Sequence, residues 1–189
     1  KEVNTAFDQF RFNDAAQVLY SFVWGTVCDW YVELSKPLLN SADFKVKNET
    51  RQTMGWVIDQ CLILLHPIMP FITEELWETL SQRNKMLVHC DWPEFDNSLI
   101  DHAADLEMNW VVNLIESIRS ARAQMRVPAG LKIPMIFLEM GSEAKKAWEN
   151  NHEMIEKLAR ITELTSADEI PKGSISISAK GANFVLPLE

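Results

Sequence analysis

Apolar side chains recur every three or four residues along most of this 189-residue chain up to Val127. That spacing places them on one face of an α-helix. Stripes of this kind run over residues 16–34, 54–80 and 106–125. We therefore predict four or five long helices that pack as a bundle.

The second stripe crosses the segment HPIMPFITEELW (66–77), which contains two prolines. A proline inside a helix removes one backbone hydrogen bond and clashes with the carbonyl four residues earlier, so we predict a kink or a joint between two helices. The alternative is a reactive cluster in which His66 acts as a general base near Glu74 or Glu75. We favour the joint, because carboxylates in the first turn of a helix stabilise its dipole without any further role.

Local signals predict where the helices begin and end. Asn13 is a good capping residue for the start of the first long helix, and Pro37 predicts its end. The polar residues 40–47 predict a loop or a fraying turn, and the mixed residues 81–100 predict an ordered crossover loop.

The pattern changes after Gly130. Residues 131–140 (LKIPMIFLEM) resemble a strand, residues 141–160 a helix, and the alternating residues 174–186 a β-hairpin. We predict two domains, a helical bundle over 1–129 and a small α+β appendage over 130–189. The fold class is therefore mainly α.

A basic island lies between residues 117 and 138, where the chain has no acidic side chain, although its formal net charge is −9. Arg119, Arg122 and Arg126 share one helix face, and Lys132 follows the next turn. One explanation is that these cations favour a helix C-terminus and that their long side chains cover apolar surface. The other is that they hold a nucleic-acid backbone.

A second candidate site is Phe12, which follows Arg11 at a break between two helices. An aromatic ring beside a cation at such a junction can stack on an unpaired base. Alternatively, Phe12 is a hydrophobic staple before the capped helix. The sequence leaves both explanations open.

Several classes of protein are disfavoured by the sequence. The chain has no apolar run of membrane-spanning length and no signal-peptide pattern. Its three cysteines lack a CxxC spacing, so we predict neither a disulfide framework nor a zinc site. Isolated glycines exclude a phosphate-binding glycine loop, and the single Glu149–His152 pair is too little for a metal site, so we predict none.

Four blocks of sequence resemble the anticodon-binding domain of the valyl-tRNA synthetases. In order along the chain, they are RFNDAAQVLYSFVWGTVCDWYVELSKPLL (11–39), WVIDQCLILLHPIMPFITEELWETL (56–80), DWPEFD (91–96) and IRSARAQMRVPAGLKIP (118–134). The HPIMPFITEELW block is similar to all class I synthetases for branched aliphatic amino acids. The CDWY run (28–31) resembles the valyl branch.

This resemblance implies a class I synthetase anticodon-binding helical bundle followed by a small α+β subdomain. It implies binding of the anticodon arm of valine tRNA. The sequence is similar to the family motif at Arg11, Phe12 and Asn13. With the basic island, the expected tRNA-binding residues are Arg11, Phe12, Asn13, Arg119, Arg122, Arg126 and Lys132.

The resemblance also implies what should lie elsewhere. The nucleotide-binding signatures of class I synthetases and the editing domain are absent from the sequence, so we expect no catalytic residue and no cofactor here. ATP and Mg²⁺ would belong to the catalytic domain of a parent ligase, with the remaining domains of that ligase as partners. We expect a piece of a longer, cytoplasmic and monomeric protein without membrane contact.

A different class of function fits the same composition. A helical protein–protein interaction module would bind its partner through the acidic surface, and the arginine face would then be structural. Binding of tRNA discriminates between the two hypotheses.

Overall fold

The computed structural model describes residues 1–167 and 170–187. They form two compact units, Lys1–Asp96 and Asn97–Glu189. The mainly α fold with a small α+β part is confirmed. The domain boundary predicted after residue 129 stays a prediction, and the compact units divide 33 residues earlier, between Asp96 and Asn97 (129 − 96 = 33).

Helices make up the first unit. Their bounds are α1 (Glu2–Asp8), α2 (Phe12–Ser21), a π-helix (Phe22–Tyr31), α3 (Val32–Leu39), α4 (Phe44–Leu65) and α5 (Pro70–Leu80), with a 3-10 turn (Leu87–His89) after them. The stripe predicted over 16–34 therefore folds as helix, but its middle turns have the wider hydrogen bonding of a π-helix.

Two helix ends, those near Asn13 and Pro37, differ from the sequence prediction. The helix predicted to begin at Asn13 begins at Phe12, so Asn13 lies in its first turn. Pro37 lies inside α3, which continues to Leu39 because one missing N–H does not stop a helix whose last turn is otherwise bonded. In that turn the side-chain amide of Asn40 donates to the carbonyl of Lys36 at 2.9 Å.

The polar segment predicted as a loop over 40–47 also contains the start of α4. The carboxylate of Asp43 accepts hydrogen bonds from the backbone N–H groups of Lys45 and Val46, at 2.8 and 3.4 Å. These bonds cap the helix, so the predicted loop covers only residues 40–43, and residues 44–47 form the capped first turn of α4.

The proline segment is a joint between two helices, as predicted. The backbone N–H of Met69 donates to the carbonyl of Leu65 at 2.9 Å, and Pro70 is the first residue of α5. Proline suits that position because the first N–H of a helix has no partner inside the helix. His66 Nδ1 lies 2.8 Å from the hydroxyl of Thr73, which itself donates to the carbonyl of Met69.

The carboxylate of Glu74 has a role that the sequence did not predict. It accepts hydrogen bonds from the backbone N–H groups of Leu87 and Val88, at 2.6 and 3.1 Å. It therefore fixes the loop after α5. These backbone contacts are a more specific role for Glu74 than the expected stabilisation of the helix dipole. The reactive His66–Glu74 pair does not form, because His66 contacts Thr73 instead.

Arg83 fastens the same loop to two helices. Its guanidinium donates to both carboxylate oxygens of Asp59, at 2.8 and 2.6 Å, and lies 3.7 Å from the ring centroid of Trp77. The hydrogen bond to Asp59 raises the pKa of Arg83. Around it, Leu62, Trp77 and Leu87 form a small buried core.

The second unit contains a helix packed on an α/β layer. After a 3-10 turn (Asn97–Leu99), its elements are α6 (His102–Gln124), β1 (Ile133–Met140), α7 (Ser142–Ala159), β2 (Ile161–Ser166), β3 (Ile175–Ala179) and β4 (Ala182–Leu186). The strand order is β2-β1-β4-β3. Parallel β1 and β2 are joined through α7, and β3 and β4 form the predicted hairpin.

The core of this unit includes one face of α6. Leu114, Ile115 and Ile118 are fully buried together with Phe184 of β4. The indole N–H of Trp110 donates to the carbonyl of Lys180 at 2.9 Å. The apolar face of α6 thus packs on the sheet and α7, which is why α6 belongs to this compact unit.

Candidate nucleic-acid interface

The junction between α1 and α2 presents two exposed aromatic rings. Phe10 is 79% exposed and Phe12 is 59% exposed, with their ring centroids 6.3 Å apart. Arg11 and Asn13 are exposed as well. Arg11 forms an ion pair with Asp14 at 3.1 Å, so its positive charge is partly compensated within the junction.

Phe10 ends α1 in a strained conformation. Its φ is 56°, in the left-handed region that bulky residues rarely adopt. Its N–H donates to the carbonyl of Phe7, and the N–H of Arg11 donates to the carbonyl of Ala6, at 2.9 and 2.8 Å. These two bonds define a Schellman cap, in which glycine is the usual left-handed residue. The chain therefore keeps an exposed ring at a position where glycine would cost less.

An aromatic groove, about 440 Å³ in volume, lies beside this junction in the first unit. Its lining residues are Asn4, Phe7, Asp8, Phe12, Pro67 and Trp92. The ring of Phe7 lies 6.1 Å from that of Phe12 and 5.7 Å from that of Trp92, the second pair edge to face. This volume falls in the range of small-ligand sites, and aromatic walls favour a flat ring as the occupant.

The aromatic groove also carries two polar side chains, of which Asn4 is oriented by a hydrogen bond. The indole N–H of Trp92 donates to Oδ1 of Asn4 at 3.0 Å, which leaves the amide NH₂ of Asn4 as a donor. The carboxylate of Asp8 supplies an acceptor. A donor and an acceptor beside apolar walls match the hydrogen-bonding edge of a nucleobase.

The sequence prediction named Phe12 but not the residues that line the groove with it. Trp92 follows in the chain 80 residues after Phe12 (92 − 12 = 80). The Trp92-Pro93 dipeptide predicts only a loop, and no spacing in the sequence predicts that this loop contacts α1. Asn4 and Asp8 share the groove with Phe7, but their helical periodicity is that of any exposed face.

The basic island belongs to the second unit, and its members have unlike surroundings. Arg122 is only 6% exposed. Its guanidinium donates to three backbone carbonyls, those of Arg160 at 3.3 Å, Pro128 at 3.2 Å and Leu131 at 2.6 Å. Burial lowers the pKa of Arg122, and the nearby positive charge of Arg160 lowers it further. This side chain fixes the turn after α6.

Arg119 also has an internal acceptor. Its Nε and Nη2 atoms donate to the carbonyl of Leu158, at 3.2 and 3.1 Å. Arg126 and Lys132 are exposed and form no ion pair with any residue in 1–167 or 170–187. Contact of these four basic residues with tRNA stays a prediction. The structure separates them into two pairs: Arg119 and Arg122 donate to backbone carbonyls of their own unit, whereas Arg126 and Lys132 are exposed.

Within 1–167 and 170–187, no group of three His, Cys, Asp or Glu side chains is placed to hold a metal ion. In the same part of the chain, no helix combines the length and the apolar character needed to cross a bilayer.

Comparisons with known proteins give a consistent result. The family model described as the anticodon-binding domain of tRNA ligase matches residues 1–137. A valine–tRNA ligase of Ruegeria pomeroyi is 62% identical over all 189 residues, which is 100% of this chain and 18% of that protein. A valine–tRNA ligase of Cereibacter sphaeroides is 55% identical, and one of Zymomonas mobilis is 42% identical. Those two matches also cover 100% of this chain, and 19% and 22% of those proteins. The chain thus spans about a fifth of the length of these curated relatives.

Proposed function

Since the chain belongs to the family of anticodon-binding domains of tRNA ligases, we propose that it binds the anticodon arm of valine tRNA as one part of a valine–tRNA ligase. The relatives that are 62% and 55% identical over the whole chain carry that name, which supports valine as the amino acid. The protein-interaction alternative is not favoured, because the family match describes a domain that binds RNA.

The observation that carries the proposal is the aromatic groove beside the exposed ring of Phe12. Bases of a single-stranded RNA loop can be turned out of their stack and placed on aromatic side chains. Stacking of one base is worth about 1–3 kcal/mol, and it does not depend strongly on which base is present. Phe12 supplies such a surface at the edge of the groove, with Phe7 and Trp92 behind it.

Discrimination between bases comes from the polar groups of the groove. The free amide NH₂ of Asn4 donates, and the carboxylate of Asp8 accepts, so a base with the complementary edge gains both hydrogen bonds. A base with the opposite pattern leaves a desolvated donor or acceptor unpaired, which costs about 1–3 kcal/mol. In this proposal Arg11 and Asn13 contact the neighbouring backbone or ribose.

The parent ligase supplies the chemistry in this proposal. Attachment of valine to tRNA with ATP and Mg²⁺ takes place in a catalytic domain outside this chain. The present domain holds the anticodon arm so that the distant acceptor end can enter that domain. A cytoplasmic, monomeric ligase is the assembly we propose.

A titration tests the proposal. The 189-residue chain is mixed with a valine tRNA transcript and with the same transcript carrying a replaced anticodon, at low and at moderate salt. Because the net charge of −9 repels RNA, we expect weak binding that is strongest at low salt. The native anticodon should bind more tightly at both salt concentrations. Equal affinity for the two transcripts would contradict recognition of the anticodon.

A further inference from the structure

A second groove lies in the unit Asn97–Glu189, around the turn that follows α6. Its volume is about 690 Å³. Four of its lining residues are prolines: Pro128, Pro134, Pro171 and Pro187. Three are cations: Arg126, Lys132 and Lys172. We call it the proline groove.

The charge of the proline groove is opposite to that of the whole protein. None of the described residues that line it is acidic, although the chain carries 27 acidic side chains against 18 basic ones. Arg126, Lys132 and Lys172 are all exposed. None of them forms an ion pair with a residue in 1–167 or 170–187. Local positive charge on an acidic protein favours a polyanionic ligand.

Arg126 occupies a backbone position that normally suits glycine. Its φ is 55°, its N–H donates to the carbonyl of Ala123, and the N–H of Val127 donates to the carbonyl of Arg122, at 3.1 and 2.9 Å. This is again a Schellman cap. A left-handed arginine is strained relative to glycine, because its Cβ approaches the following carbonyl oxygen. From this strained backbone position, the side chain of Arg126 lines the proline groove.

The turn that carries two of these cations, Arg126 and Lys132, is fixed by internal hydrogen bonds. The buried guanidinium of Arg122 bonds the carbonyls of Pro128 and Leu131, on both sides of Gly130. Arg126 lies before these two anchored residues, and Lys132 lies directly after them. Cations on an immobilised turn lose little conformational entropy when they bind a ligand.

We propose that the proline groove binds the sugar–phosphate backbone of the tRNA, independently of the base sequence. Lys132, Lys172 and Arg126 contact phosphates, and the apolar faces of the prolines pack against riboses. The inference rests on the proposed tRNA-binding function and assigns a separate role to the second unit. It selects two of the four predicted basic residues, Arg126 and Lys132, and adds Lys172, which the sequence pattern had not indicated.

The test compares two double variants of the full 189-residue chain. Lys132→Gln with Lys172→Gln removes two cations from the proline groove. Lys145→Gln with Lys157→Gln removes the same charge from α7, outside the groove. At about 0.1 M salt each lost phosphate contact should weaken binding about five- to eightfold, and the slope of log K against log salt should fall by about 0.7–0.9 for each contact. The loss should be equal for the native and the replaced anticodon, and the α7 variant should lose much less.

Arg126→Gly separates binding from folding. If the arginine serves the ligand, the variant should melt at the same temperature or higher, because glycine relieves the strain, and yet bind tRNA several-fold more weakly. A lower melting temperature with unchanged affinity would overturn the proposal. Melting curves of the lysine variants, which alter only exposed side chains, confirm that they are folded.

The outcomes distinguish this inference from the proposed function. Unchanged affinity and salt slope in the lysine variants, with tRNA still bound through the anticodon, would overturn the inference alone. If the chain does not bind tRNA at any salt concentration, both the proposed function and this inference are overturned. Equal losses of tRNA affinity in the groove and α7 variants would show that only the net charge matters. That result would also contradict a binding site at the proline groove.

Discussion

At the scale of single residues, Phe12 and Arg122 show how the surroundings of a side chain decide its role. Both were predicted to contact tRNA. Phe12 is 59% exposed beside a groove with aromatic walls, where a base can reach it. Arg122 is 6% exposed, and its donors bond carbonyls of the same unit. The sequence gives the residue type, but burial decides whether its functional group is available.

We expect Phe12→Ala to weaken binding of valine tRNA by about 1–3 kcal/mol, because the stacking surface for one base is lost. The measurement is the dissociation constant of the chain with the tRNA transcript at one fixed salt concentration. Phe44→Ala is the matched control, because Phe44 is 78% exposed in the same unit and lies outside the groove. Equal effects of the two substitutions would speak against a stacking site.

At the scale of elements, each of the two candidate tRNA-binding grooves lies beside a helix that ends in a Schellman cap. In both caps a residue other than glycine occupies the left-handed position. Phe10 closes α1, and Arg126 closes α6. Strain of this kind persists where the surrounding structure or a ligand requires the side chain. The end of α6 also needs an internal fastening, which Arg122 provides by bonding three carbonyls.

Arg122→Lys should destabilise the second unit by roughly 2–4 kcal/mol. A lysine keeps the charge, but its single ammonium cannot reproduce the planar fork, so buried carbonyls lose their partners. Thermal or urea unfolding of the whole chain measures the loss. Arg126→Lys, the same substitution on an exposed side chain, should leave the unfolding midpoint nearly unchanged. A midpoint for Arg122→Lys as high as that of the control would show that the three bonds contribute little.

At the scale of the whole molecule, the two compact units divide within the region that the family model matches. The match covers residues 1–137, whereas the boundary between the units along the chain falls between Asp96 and Asn97. Helix α6 therefore belongs by family to the anticodon-binding domain and by packing to the α+β unit. The predicted boundary after residue 129 would separate α6 from the sheet and α7 that cover its apolar face.

A pair of fragments tests where the boundary lies. We expect residues 97–189 to unfold cooperatively on their own, and residues 130–189 to fail to fold. The shorter fragment lacks Leu114, Ile115 and Ile118, each worth about 1.5–3 kcal/mol when buried. Circular dichroism during thermal unfolding measures both. Cooperative unfolding of the shorter fragment would instead support the boundary after residue 129.

Most of the local structure follows from the sequence, since it depends on neighbours in the chain. Apolar periodicity predicted the long helices, the prolines of the 66–77 segment predicted the joint before α5, and the alternation over 174–186 predicted the hairpin. The errors are local as well: Asp43 caps α4 within a segment whose polarity suggested a loop, and Pro37 is accommodated inside α3.

The candidate site divides in the same way. By itself, the sequence determined the helical class, the resemblance to the anticodon-binding family and a break between two helices near Phe12, because these depend on residue type and short-range spacing. Only the tertiary structure decided that Trp92 joins Phe7 and Phe12 in one groove, that Glu74 binds the Leu87 loop, and that Arg122 bonds carbonyls inward while Arg126 stays outside. The physical reason is that hydrogen-bond partners and desolvation come from residues far apart in the chain, and no periodicity records which of them meet.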